Sequence, residues 1–157
     1  MSPSKEQLIS QFALKPHPEG GYYAEVYRSA QSLNSPVHGQ PRPSLTHIYF
    51  LLGQGDVSRF HRVAHDEVWN HYAGAPLRLI DLHNQQIQEL RLGPDEPHFA
   101  QVIEGGHYQA AESLGEYSLM GCSVAPGFDF ADFNFIQADS ALSNFIHNQH
   151  PELLRFL

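Results

Sequence analysis

Apolar residues recur at helical spacing at both ends of this chain and at strand spacing through its middle. Leu8, Ile9 and Phe12 share one face of a helix over residues 5–13, and Ser4 is placed to cap it. Pro16-His17-Pro18-Glu19-Gly20-Gly21 ends that helix. Runs rich in Val, Ile, Tyr and Phe then follow at 22–28, 46–52, 57–63, 67–72, 77–82, 87–92, 101–103, 108–111, 117–124 and 133–136. Most are separated by Gly, Pro, Asn or Asp turns, the pattern of an all-β sandwich or barrel. Residues 29–43, with three prolines, read as one long loop. From about Asp139 the helical spacing returns, with Leu142, Phe145 and Ile146 on one face and Leu153, Leu154 and Leu157 after Pro151. No linker or repeat interrupts this, so a single domain is expected over residues 1–157.

Composition narrows the function classes. A chain of 157 residues can bury about 70% of its unfolded surface in one core. The net charge of −8 repels phosphate backbones and anionic lipid, so neither nucleic acid nor membrane is an expected partner. No run approaches the length of a membrane span. The single cysteine, Cys122, permits no internal disulfide and reads as a small buried hydrophobe. The polar start Met1–Glu6 lacks the pattern of a signal peptide, and a cytoplasmic location is expected. Eleven histidines are the unusual count. His17, His38, His98 and His150, beside Gly or Pro, are expected on solvated loops, whereas His61, His65 and His71 cluster in sequence.

That cluster lies in GDVSRFHRVAHDEVWNHYAG, residues 55–74. Gly55, His61, Glu67 and Gly74 have the spacing of the first cupin motif, with Val63 where the motif has its second His. The stretch Glu104-Gly105-Gly106-His107-Tyr108-Gln109 stands where the second motif would be, and there only Gly106 matches. Further stretches, His17–Tyr22, Ile48–Leu52, Phe60–Arg62, Asp66–Trp69 and Gly121–Phe130, resemble an uncharacterised family of single-domain cupins with an RmlC-like jelly roll. The resemblance covers about residues 14–136. It implies an all-β cupin-type jelly-roll barrel with short terminal helices, a small-molecule pocket inside it, and a homodimer.

In metal-binding cupins three His and one Glu point into the barrel. Carried over, the resemblance supplies His61 and Glu67 but replaces the other two ligands by Val63, which has no lone pair, and Gln109. No cofactor is therefore expected. If a divalent transition metal were held, His61, Glu67 and His71 would be its ligands, because Glu67, Trp69 and His71 share one strand face. Without a metal, His61 and Glu67 are the candidate catalytic pair for general acid–base work. Metal-free cupins that resemble this chain include sugar-nucleotide epimerases, which pair a barrel His with a Tyr acid. That implies an isomerase or epimerase acting on a sugar or sugar-nucleotide-like compound. The alternatives are a non-catalytic ligand-binding module and a metal-dependent dioxygenase or isomerase.

Tyr23, Tyr49, Tyr72 and Tyr108 are candidate acids. Arg59, Trp69, His71, Gln109, Tyr23, Tyr49, Phe128 and Asp129 are the candidate ligand-binding residues. Arg59 qualifies by sharing strand parity with His61, unless a bulge intervenes. Glu19, with Tyr23, is placed at the barrel mouth.

Overall fold

The structure is a computed structural model that describes residues 1–157. Helix α1 spans Lys5–Gln11 and is capped at Ser4 in a reciprocal capping box with Gln7. The strands are β1 Lys15–Pro16, β2 Tyr22–Arg28, β3 Ser32–Asn34, β4 Pro41–Pro43, β5 Thr46–Gly53, β6 Val57–Arg62, β7 Asp66–Gly74, β8 Leu77–His83, β9 Gln86–Leu92, β10 Ala100–Ile103, β11 Tyr108–Ser113, β12 Tyr117–Ala125 and β13 Asn134–Phe135. Helix α2, Ala141–Gln149, and a short 3-10 helix, Pro151–Phe156, close the chain.

The strands form two sheets, ordered β1-β2-β5-β12-β7-β10 and β13-β6-β11-β8-β9, with β3 and β4 as a separate hairpin. This is the all-β jelly-roll architecture that the turn spacing predicts. The stretch read as a loop thus contains a hairpin. Its strands lie in neither large sheet, so Pro41 and Pro43 interrupt no central ladder there. Between β8 and β9, Asn84 and Gln85 both take positive φ, as a two-residue hairpin turn matched to the sheet twist requires.

Some strands read as continuous apolar runs because both their faces are covered. On β5, Phe50 and Leu52 enter the barrel interior, while Leu51 packs outward with Leu8 and Leu14 at the N-terminal helix. On β8, Leu77 and Leu79 face the interior, and Ile80 and Leu82 pack under Phe145, Ile146, Leu153 and Phe156 of the C-terminal helices. The terminal helices seal the outer faces of the two sheets. Inside, Trp69, Leu77, Leu79, Leu92, Ile103 and Met120 fill one part of the barrel. The rest holds polar side chains around a cavity.

Candidate active site

The cavity has a volume of about 440 Å³. Phe128, Phe130, Phe133, Ile48 and Val124 supply apolar wall, and Lys15, Arg28, Glu25 and Asp129 contribute charge to its lining. Among the lining groups are five buried titratable side chains: His17, Glu19, His61, Glu67 and Cys122.

Glu19 is placed by the turn ahead of β2. Its carbonyl accepts from the Arg59 amide at 2.8 Å, docking the turn on β6. Gly20 takes φ +110°, and a Cβ there would collide with the Val57 carbonyl. Only glycine lets the chain pass so close to β6 and turn Glu19 inward. His61 is aimed by a bulge. Gln109 pairs with His61 but Ala111 pairs with Ser58, so two residues of β6 oppose one of β11. Ser58 and His61 therefore both face inward, Phe60 packs outward under α2, and Arg59 is thrown to the surface.

The hydrogen-bond partners fix the tautomers. The Arg59 carbonyl can only accept, so His61 Nδ1, 2.6 Å away, carries the proton. That leaves the lone pair of His61 Nε2 facing Glu19 Oε2 at 3.1 Å. The Glu19 amide donates to His17 Nδ1 at 3.1 Å, so that nitrogen too carries a lone pair, and it lies 3.2 Å from Glu19 Oε1. Glu19 thus sits between two imidazole lone pairs, with the Ser58 hydroxyl on Oε2. An ionised carboxylate would face repulsion on both sides, so the group holds a proton. Burial acts in the same direction. It raises Glu19 to about 8 against the opposing Ser58 hydrogen bond. It lowers His17 to about 3, helped by His61, and lowers His61 despite the Arg59 carbonyl and Glu67.

Glu67 enters from β7, in the opposite sheet to His61. Burial and the neighbouring Glu19 raise it to about 7. Its Oε1 accepts from Gln109 Nε2 at 2.8 Å, and Gln109 Oε1 accepts from the indole of Trp69 at 2.8 Å.

Of the residues expected to line the pocket, His61, Glu67, Tyr23, Phe128 and Asp129 do so. The others lie elsewhere. Arg59, displaced by the bulge, lies over the Phe135 ring and donates to the Leu157 carbonyl. Tyr49 alternates outward from Ile48 and Phe50 and packs on Phe12. Tyr72 bonds His47 on the same outer face, so Tyr23 is the one candidate acid in the pocket wall. Trp69 and Gln109 are fully buried behind Glu67 and do not line the cavity. His71 does share the face of Glu67, but four residues of strand separate them by about 13 Å. Its ring bonds the Ala75 carbonyl. A metal set of His61, Glu67 and His71 therefore does not assemble. His17, expected on a solvated loop, is buried between Tyr23, Phe50 and Phe133.

The chain's profile match agrees with this geometry. The family described as Cupin superfamily (DUF985) matches residues 6–136. The chain belongs to this family. It is 27% identical to an uncharacterized protein of Saccharomyces cerevisiae, over 98% of this chain and 86% of that one. Among solved structures it resembles a hypothetical protein from Leishmania major, with 29% identity, TM-score 0.83, and 97% and 95% of the two chains covered. It also resembles a protein from Shewanella oneidensis, with 29% identity, TM-score 0.87, and 99% and 98% covered.

Many cupins hold a metal, but the donor set here is incomplete. Val63 lines the cavity without a lone pair. Gln109 turns its amide nitrogen toward Glu67 and spends its oxygen on Trp69. Two of the four ligand positions are thus closed to a cation, and the residues do not fit the cupin centre.

A second cluster, His38, His65 and Asp132, brings ligand atoms within 4.8 Å of one another. Its donors too are already committed. The Arg42 guanidinium forks onto both Asp132 oxygens at 2.9 and 2.8 Å. His38 Nδ1 accepts from the Gln40 amide, so Nε2, 3.0 Å from Asp132, carries a proton. Ser35 Oγ accepts from the Val37 and His38 amides and donates to His65 Nε2, so His65 Nδ1–H faces Asp132 at 4.0 Å. Neither imidazole offers a lone pair at the carboxylate.

Proposed function

We propose that this cupin pocket is a metal-independent proton-transfer site, an isomerase or epimerase acting on a small uncharged carbonyl compound such as a sugar derivative. The observation that carries this reading is the buried Glu19–His61 contact, with the His61 tautomer fixed from behind. The pair holds one proton on either Glu19 Oε2 or His61 Nε2. Glu67 faces it from the other sheet and titrates to about 7, so both its forms are populated near neutrality.

In the proposed reaction Glu67 carboxylate removes the proton from the carbon beside the carbonyl. The electron pair of that C–H bond moves into the enolate. The Glu19–His61 pair then returns a proton to the opposite face, giving the epimer, or to the former carbonyl carbon while the adjacent hydroxyl passes its proton to the old carbonyl oxygen, giving the isomer. Proton exchange with water restores both groups. Lining groups on the apolar wall exclude bulk water during the step, and Tyr23, the candidate acid in the cavity lining, donates to the enolate oxygen in this reading. The cavity of about 440 Å³ takes a molecule of monosaccharide size within it.

The test is deuterium wash-in. The protein is incubated in heavy water with aldoses, ketoses and other uncharged keto sugars, and exchange at carbon is followed by NMR. At least one compound should exchange, and His61→Ala and Glu19→Gln should slow it by about 10²–10⁴-fold while remaining folded. Thermal stabilisation by a compound that never exchanges would favour the non-catalytic binding module instead.

A further inference from the structure

One oxygen of the buried Glu67 carboxyl is held by a line of side chains that starts two residues behind it. The Trp69 indole is only a donor, so the Gln109 side chain must present its oxygen there. Its NH₂ group is then the end that meets Glu67 Oε1. The amide cannot turn over without opposing N–H to N–H at Trp69 and O to O at Glu67. All three side chains are buried, and Trp69 and Gln109 are wholly so. Gln109 stands where the second cupin motif carries a metal-ligating His, so that position here serves the carboxyl directly.

We infer that Trp69 and Gln109 are positioning residues: they cap Oε1 of Glu67 and leave Oε2 as the atom through which Glu67 exchanges its proton with a bound molecule. The line also fixes the direction of the effect. An N–H donated to Oε1 favours the ionised carboxylate, so Gln109 joins His61 and the Cys122 thiol in holding the Glu67 pKa down against burial and the nearby Glu19. Without it the base form of Glu67 would be a minor species at neutral pH. Trp69 keeps the amide from rotating and so acts one step further back.

This rests on the proton-transfer reading, but its test reads ionisation of Glu67 rather than turnover, so the two can fail separately. Carboxyl carbons of glutamate are labelled with ¹³C and the Glu67 midpoint is followed by NMR; Glu67→Gln assigns the signal. Gln109→Leu should raise the midpoint by about one pH unit, a roughly tenfold gain in proton affinity. Trp69→Phe should raise it by less, because the freed amide can still reach Oε1. In the unaltered protein the indole N–H resonance of Trp69, the one tryptophan of the chain, should shift with the Glu67 midpoint. That dependence should vanish in Glu67→Gln. An unmoved midpoint in Gln109→Leu overturns the inference. Should that variant fail to fold, an indole resonance indifferent to Glu67 ionisation in the unaltered protein overturns it as well.

Discussion

The pocket floor and the Arg42 knot place the same residue types around a carboxyl and arrive at opposite states. Both build on a histidine whose Nδ1 accepts the amide two residues on, His17 from Glu19 and His38 from Gln40. At Glu19 the nitrogens that face the carboxyl carry lone pairs, and no guanidinium or ammonium is bonded to it. At Asp132 the facing nitrogens carry protons and Arg42 adds two more donors. Glu19 is accordingly pushed up to about 8, whereas Asp132 is held below its ordinary value, chiefly by the Arg42 hydrogen bonds. The segment 128–133 separates the two, with Phe130 and Phe133 toward the pocket and Asp132 in the knot. A His–carboxyl cluster becomes a proton-exchanging site or a structural tie according to which side of each imidazole is spoken for.

The largest effect is expected at Gly20, because the orientation of Glu19 depends on a backbone path that only glycine permits. Gly20→Ala drives a Cβ into the Val57 carbonyl at positive φ. A cost of about 3 kcal/mol is expected, which would lower Tm by roughly 6–12 °C in a domain of this size. Differential scanning calorimetry reads it. A change under about 2 °C would mean that the turn relaxes and that Glu19 is not held by it.

Stability against pH separates the two clusters next. Glu19 and Glu67 are raised from 4.5 to about 8 and about 7. The folded chain keeps protons there that the unfolded chain gives up, so their contribution falls as pH climbs from about 4.5 and levels off near 8. His17, lowered from 6.5 to about 3, and His61, lowered by burial, act in the other direction. Their contribution is lost as pH falls below 6.5. Above 6.5 the two carboxyls dominate, with the Cys122 thiol, raised by burial, acting in the same direction at the upper end, so a loss of about 2–3 kcal/mol is expected between pH 6.5 and 8.5. Urea unfolding across that interval measures it. Glu19→Gln should remove most of the decline and Glu67→Gln a smaller part, while a flat profile would refute the raised carboxyls.

How much of this was legible in the sequence depended on distance along the chain. The barrel, its terminal helices and the inward positions of His61 and Glu67 follow from alternation and from motif spacing within one segment. The Glu19–His61 pair spans 42 positions and depends on a turn docking to β6, which no periodicity reports. Gly20-Gly21 was the available signal, since consecutive glycines mark a close backbone approach as well as a turn. Arg59 was misplaced because a bulge shifts strand parity by one residue, and nothing in Val57–Arg62 announces it. Gln109 and Trp69 were assigned to the right neighbourhood but the wrong layer. A residue's face can be read from parity, whereas its depth behind another side chain cannot.

The smallest of these effects is expected at the knot, and it sharpens the comparison because its sign with pH is reversed. In Asp132→Asn one of the two oxygens becomes an NH₂ group. Four N–H donors, two from Arg42 and one each from His38 and His65, then share a single neutral acceptor. Hydrogen bonds to a charged partner are lost, but Arg42 and His38 reach water and recover part of that free energy. A net cost of about 1–2 kcal/mol is expected at neutral pH. Asp132 has a folded-state pKa below its ordinary 3.8, so its contribution is fully present above that value and disappears as pH falls through the lower one. The unaltered and variant unfolding curves should therefore run parallel above about pH 5 and converge toward pH 2–3. The alkaline decline assigned to Glu19 and Glu67 should persist undiminished in the variant. Its disappearance in Asp132→Asn would mean that segment 128–133 couples the two clusters into one titrating unit, and the contrast drawn between them would fail.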